Sequence, residues 1–229
     1  MKINKNEVWF YLFVVSSIIA SFAFLFQIKL LDYVVRPFVL PFLAVYFIQQ
    51  KPPKFSMAFF ATILVCYIGD LYTLYTSNPT IFISSPMYLL SYVFQMNAGI
   101  DDFVKVRERM HTWHNLVLFL TMVLFSSIVV YVSDIMNHNN VDSWIVLIYG
   151  TVLVVAVAIA IINFVIDNTI RHLSYLFMIL FFLFSDLFFI FHYQIIELHV
   201  FKFFTVLTQL IAYYFLMKYY TFKVNSIYD

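Results

Sequence analysis

The chain has 229 residues, of which 64% are hydrophobic, 21% aromatic and only 11% charged. No soluble core needs so much apolar surface, so the composition indicates an all-α integral membrane protein. A net charge of +1 offers no basic face to nucleic acid. The single cysteine, Cys66, leaves no intrachain disulfide to form and reads as a small buried side chain.

A membrane-crossing helix takes about 20 mostly apolar residues. Eight runs meet that length, at 7–27, 31–49, 56–76, 80–98, 114–133, 143–163, 172–192 and 197–219. They are too long for barrel strands and do not alternate. The expectation is therefore a bundle of eight transmembrane helices. The first run is followed by no convincing cleavage site and reads as a retained helix. Spans two and four are the weakest, since each carries Pro or polar residues. Lys51-Pro52-Pro53-Lys54, Ser77-Asn78-Pro79 and His138-Asn139-Asn140 supply turn chemistry at the breaks. The longest hydrophilic stretch, Gly99 to Asn115, reads either as an amphipathic helix on the membrane surface or as a solvated connector. No shift in composition divides the chain, so residues 1–229 are expected to form one domain.

Loop charge orients the bundle. Lys2, Lys5, Lys51, Lys54, Lys105, Arg107, Arg109, Arg171, Lys218 and Lys223 fall on one side, against Lys29 and Lys202 on the other. The positive-inside rule then places both termini in the cytoplasm.

Within the spans, Asp70 lies in ATILVCYIGDLYTLY and Asp186 in MILFFLFSDLFFIF. A carboxylate at membrane depth is costly unless partnered, so each marks a functional site by default. Asp70 follows Lys54 by 16 residues and Asp186 follows His172 by 14. At about 1.5 Å per residue both lie roughly 20–25 Å above the cytoplasmic boundary. Arg36, on a span running the other way, reaches the same layer, and an intramembrane Arg calls for an anionic partner. Asp32, one turn earlier, competes for it. Tyr67 shares a helix face with Asp70, and Gln209 and Tyr213 reach the layer from span eight. Ser185 has no nucleophile-elbow sequence around it and reads as a packing residue.

Two carboxyls can divide an acid-catalysed cleavage, one keeping its proton as the acid, the other, paired with Arg36, orienting water or stabilising a cation. A plainer reading makes Arg36 and one aspartate an assembly ion pair, with the second aspartate hydrogen-bonded to Tyr or Gln; desolvation makes such a pair weak support for stability. Most of the six histidines sit at span ends or in loops on opposite sides, a poor arrangement for converging on one metal. His111 and His114 read as a solvated interface. No mid-span Lys is placed for a Schiff base, and there is no Gly-rich phosphate loop.

In these motifs the chain resembles the YhhN-like lysoplasmalogenase family. Its members are eight-span proteins with a basic-Pro pair in the second span, Gly-Asp in the third and Ser-Asp in the seventh. The matches here are Arg36-Pro37, Gly69-Asp70 and Ser185-Asp186, and Gln209 resembles the family's Tyr/Gln patch in the last span. The family usually has Lys before the Pro, a Gly-containing run before the Ser-Asp and a His in the fourth span. This chain has Arg36, then Phe181-Phe182-Leu183-Phe184, then Ser91, Tyr92 and Gln95 in the corresponding regions. The resemblance implies hydrolysis of the vinyl ether of lysoplasmalogens, releasing a fatty aldehyde and a glycerophospho-base. Asp70 and Asp186 would be acid and base in either order, and Arg36 would hold the ionised carboxylate or a phosphate. It implies a lysolipid partner, no metal or organic cofactor, and a bacterial inner membrane. Two other classes stay open. One is a small-solute or proton transporter, since spans three and seven are placed as a 4+4 repeat would place them, although span six has no counterpart of Arg36-Pro37. The other is a non-catalytic membrane protein that scaffolds or binds lipid.

Overall fold

The structure, a computed structural model, describes residues 5–50, 56–76, 81–138, 143–192 and 198–225. Within them the chain forms eight α-helices: α1 (Lys5–Leu25), α2 (Lys29–Gln49), α3 (Met57–Tyr75), α4 (Ile81–Val106), α5 (Thr112–His138), α6 (Ser143–Ile166), α7 (Ile170–Ile190) and α8 (His199–Asn225). Each expected span overlaps one of them. The turn residues expected at 51–54 and 77–79, and Asn139 and Asn140, lie outside the described residues. All the helices but α4 are long and apolar enough to cross a membrane. Ser84, Ser85, Ser91, Gln95 and Asn97 lower the apolarity of α4, and much of that polarity faces inward: Ser91 and Gln95 are buried.

The helices pack in a closed ring. In order around it come α1, α2, α3, α4, α6, α7 and α8, with α8 back against α1. α8 also reaches α2 and α3 across the ring. α5 stands outside, packed on α6, and exposes Leu116, Phe119, Leu120, Val123 and Leu124. Such an apolar face belongs in lipid. The core is built from large side chains, with Phe47, Phe59, Tyr175, Tyr213, Tyr219 and Tyr220 all buried.

Backbone accounting explains two local features. Pro37 has no N–H, so the Tyr33 carbonyl loses its partner four residues on; the Tyr75 hydroxyl of α3 donates to that carbonyl at 3.4 Å. Between α1 and α2, Gln27 adopts φ 56°, the left-handed conformation that closes a helix, and the Ile28 N–H reaches back to the Ala23 carbonyl at 2.8 Å. This tight turn brings Gln27 and Lys29 to the rim of the main cavity.

The stretch from Gly99 to Asn115 corrects both sequence readings. It is neither a separate surface helix nor a solvated connector: α4 continues through it to Val106, followed by a single 3-10 turn, Arg107–Arg109. Asp102 and Val106 are buried. Lys105, one turn along α4, stands 4.0 Å from Asp102, and the closer compensation for this carboxyl comes from other helices. Lys223 Nζ lies 3.5 Å from it, Arg171 Nε 3.8 Å and His172 Nε2 4.0 Å, and the Tyr219 hydroxyl donates to it at 2.8 Å. Gly99 allows the approach of Tyr175, whose ring occupies the space a Cβ would need; the Tyr175 hydroxyl donates to the Gln95 carbonyl at 3.1 Å. His114 is likewise buried rather than solvated. Its Nδ1 accepts the His111 N–H at 2.8 Å and so caps the start of α5.

Candidate functional site

The two aspartates sit in unlike pockets. Asp70, on α3, has both carboxyl oxygens occupied: Oδ1 accepts from the Tyr88 hydroxyl at 2.7 Å and from Gln209 Nε2 at 2.8 Å, and Oδ2 accepts from the Tyr213 hydroxyl at 2.7 Å. Gln209 Nε2 also lies 2.9 Å from the Tyr213 hydroxyl. Three donors on two oxygens suit an ionised carboxylate, which only accepts. The residue before it makes this possible. A Cβ on Gly69 would stand 3.2 Å from Cζ of Tyr88, so the small residue lets the Tyr88 ring lie against α3 and its hydroxyl reach Asp70.

Asp186, on α7, has one occupied oxygen. Its Oδ2 accepts from the Tyr92 hydroxyl at 2.6 Å and from the Tyr149 hydroxyl at 2.8 Å. Its Oδ1 has no hydrogen-bond partner among the described residues, and the side chain lines a cavity of about 450 Å³. Tyr92 and Tyr149 meet edge to face, with ring centroids 5.6 Å apart, which fixes both hydroxyls on one oxygen. Tyr88 and Tyr92 are one turn apart on α4, so a single helix face serves both carboxyls.

The cavity opens at the end of the bundle opposite the chain termini. Its rim is built from Gln27, Lys29, Thr76, Ser85, Ile145 and Lys202, each at or near the corresponding end of its helix. Its walls mix apolar Phe182, Phe189 and Val206 with Tyr88, Tyr92 and Tyr149. Such mixed, concave sites of several hundred Å³ are typical of ligand pockets. Asp70 lies behind this wall, on a smaller cleft that shares Arg36, Leu74, Val206 and Gln209 with the large cavity.

Of the residues singled out from sequence, Gln209 and Tyr213 converge on Asp70. Tyr67 lines the small cleft beside Asp70 without a hydrogen bond to it. Ser185 is buried and donates to the Thr205 carbonyl at 3.0 Å, tying α7 to α8 at the cavity wall. Arg36 departs from expectation. Its ionic partner is Asp32, with Nε 3.1 Å from Oδ1, and it forms no ion pair with Asp70 or Asp186. The one-turn spacing of Asp32 and Arg36 on α2 prevails over the shared depth of three helices. The plainer reading fails in its ion pair for the same reason and holds in its hydrogen bonds, since Tyr hydroxyls bond both aspartates and Gln209 bonds Asp70. Tyr88, Tyr92 and Tyr149 were not among the residues singled out for the site. The signal that could have marked them is the one-turn spacing of Tyr88 and Tyr92 within the most polar span.

A family model described as the YhhN family matches residues 31–219, which includes both aspartates, Arg36, Gln209 and Tyr213. No curated protein and no solved structure matches the chain.

Proposed function

The chain belongs to the YhhN family, and from that premise we propose that it is a membrane-embedded hydrolase cleaving the vinyl-ether bond of lysoplasmalogen-type lysolipids. The observation that carries this reading is the inequality of the two carboxyls. Asp186 lines a cavity sized for an amphiphile and keeps one oxygen without a hydrogen bond among the described residues, while both oxygens of Asp70 are engaged behind the wall.

In the proposed reaction Asp186 carries the proton and delivers it to the outer carbon of the enol ether. The double bond's electrons form the new C–H bond, and the ether oxygen shares its lone pair to give an oxocarbenium ion. Water adds to the cationic carbon and yields its proton to the Asp186 carboxylate, leaving a hemiacetal. Proton transfer to the glycerol oxygen and cleavage of its C–O bond release a fatty aldehyde and the glycerophospho-base, with one water consumed. Tyr92 and Tyr149 hold Asp186 in place throughout. Asp70 acts through Tyr88 and Gln209, which do line the cavity: it orients them, and its negative charge favours the passing cation. With the termini in the cytoplasm, the cavity opens to the outer leaflet, where a lysolipid can enter from the membrane.

The test is aldehyde release by purified protein given matched 1-alkenyl and 1-alkyl lysophospholipids. Aldehyde is expected from the alkenyl lipid alone. Absence of aldehyde from both would set the hydrolase reading aside in favour of a transporter or a lipid-binding protein.

A further inference from the structure

Gln95, on α4, is a buried amide that the protein leaves unserved. It is 0% exposed, yet neither its Oε1 nor its Nε2 has a hydrogen-bond partner among the described residues. A side-chain amide can accept two bonds and donate two, and a buried one left bare calls for a bound group or an ordered water. The polar groups nearest along the chain have given their donors elsewhere. The Tyr175 hydroxyl donates to the backbone carbonyl of Gln95 at 3.1 Å, the Ser91 hydroxyl to the Tyr88 carbonyl at 2.7 Å, and the Tyr92 hydroxyl to Asp186. One turn further along α4, Asn163 of α6 donates to the Gly99 carbonyl at 2.9 Å, while its own Oδ1 is buried and without a partner among the described residues. That bond turns the Asn163 face of α6 toward α4. The same face carries Ala156 and Ala160, both fully buried, so short side chains stand on the cavity side of Asn163. Gln95 itself lies one turn from Ser91 and Tyr92, which line the large cavity, on the side away from its mouth.

We propose that Gln95 holds an ordered water beneath the cavity floor, between α4 and α6, and that this water is the one consumed in the cleavage reaction. Water fits an amide with both ends idle, since it can donate to Oε1 and accept from Nε2, and Asn163 Oδ1 offers a further acceptor on the facing helix. The role follows from the shape of the cavity. It opens at one end of the bundle, so a lysolipid that occupies it stands between Asp186 and the water outside. A molecule stored one turn below Tyr92 reaches the cationic carbon without passing the lipid. Its oxygen lone pair forms the new C–O bond and its proton goes to the Asp186 carboxylate, as in the reaction above. The store refills when the products leave. The water site rests on Gln95 alone and its use in cleavage rests on the hydrolase reading, so the two can fail separately.

Two measurements test this. The first is an experimental map of the purified wild type, fine enough to show ordered waters on other buried polar groups. Density is expected at hydrogen-bond distance from Gln95 Oε1 or Nε2, and its absence would overturn the site. The second is turnover of alkenyl lysophospholipid by Gln95→Leu and Gln95→Asn. Leu removes both amide atoms at similar size, and kcat should fall about tenfold with KM nearly unchanged, because lipid binding is untouched. Asn keeps an amide and should stay within about threefold of the wild type. The melting temperature of Gln95→Leu should not rise, since the variant gives up a satisfied water. A bare amide would instead be relieved by Leu, so a Gln95→Leu protein that melts higher and turns over at the wild-type rate would overturn the proposal. Water at Gln95 with an unchanged kcat in Gln95→Leu would overturn its role in cleavage. A wild type that releases no aldehyde would remove that role together with the hydrolase reading, and the map then decides the water site by itself.

Discussion

The bundle buries carboxyls at both ends and treats them differently. Near the ends that carry the termini, Asp102 is surrounded by Lys223, Arg171 and His172, with the Tyr219 hydroxyl on one oxygen. Lys223 also donates to the Ala98 carbonyl at 2.6 Å, and no cavity opens there among those described. Charge is met by charge, and the result ties α4, α7 and α8 together. At the opposite end Asp70 and Asp186 are met by neutral donors only, four tyrosines and a glutamine. The nearby cation pairs with Asp32, and a 450 Å³ cavity adjoins Asp186. A compensated carboxylate with no space beside it is a staple. A carboxyl held in place by neutral groups, with one oxygen facing open volume, is equipped for proton transfer.

Substitutions at the two ends should separate these roles. The largest effect is expected for Asp186→Asn, which removes the acid while keeping its shape: turnover of alkenyl lysolipid should fall roughly 10²–10⁴-fold, with thermal stability in detergent nearly unchanged. Asp102→Asn should do the reverse. It takes the buried counter-charge from Arg171 and leaves Lys223 with the exposed Asp101 carboxylate at 3.6 Å, and breaking a buried ion pair costs about 3–5 kcal/mol. The melting temperature should drop, while the rate per folded molecule holds. If Asp102→Asn instead left stability intact and removed activity, the contrast between the ends would collapse.

Asp70→Asn is intermediate. An amide places its own donors against Tyr88, Gln209 or Tyr213, so both stability and rate should suffer; one buried polar mismatch costs about 1–3 kcal/mol, and the rate should fall by about ten- to a hundredfold. A variant with the Asp186→Asn profile would make Asp70 an equal partner in the chemistry. The smallest effect is expected for Tyr149→Phe. It removes one of two donors from Asp186 Oδ2, worth about 1 kcal/mol, and should lower the rate about fivefold without weakening lipid binding. Binding assays with the 1-alkyl analogue separate these outcomes.

The contrast between the ends was only partly legible in the sequence. The helices were, because apolar runs of about 20 residues have few other uses. Depth along the spans also put Gln209 and Tyr213 at the level of Asp70, which both contact. The Asp102 staple was hidden because Asp101, Asp102, Lys105 and Arg107 look solvated when read along the chain. The cations that neutralise Asp102 include Arg171 and Lys223, on helices far along the sequence. Arg36 was assigned by depth, yet the nearest carboxylate was one turn away on its own helix. The tyrosines escaped because aromatic residues are common throughout this chain, and nothing local separates a Tyr that holds a carboxyl from one that packs. Gly69 is the reverse case: its proximity to Tyr88 gives the Gly-Asp pair a physical reason that the motif alone did not supply.

The central claim, that Asp186 protonates the carbon of a vinyl ether, is tested most directly by the fate of one hydrogen. Purified protein would be given alkenyl lysophospholipid in D2O, and the aldehyde trapped and weighed by mass spectrometry. The account predicts aldehyde carrying one deuterium on the carbon next to the carbonyl from the wild type, and none above background from Asp186→Asn. Aldehyde without that deuterium, or deuterated aldehyde formed by Asp186→Asn at the wild-type rate, would contradict it.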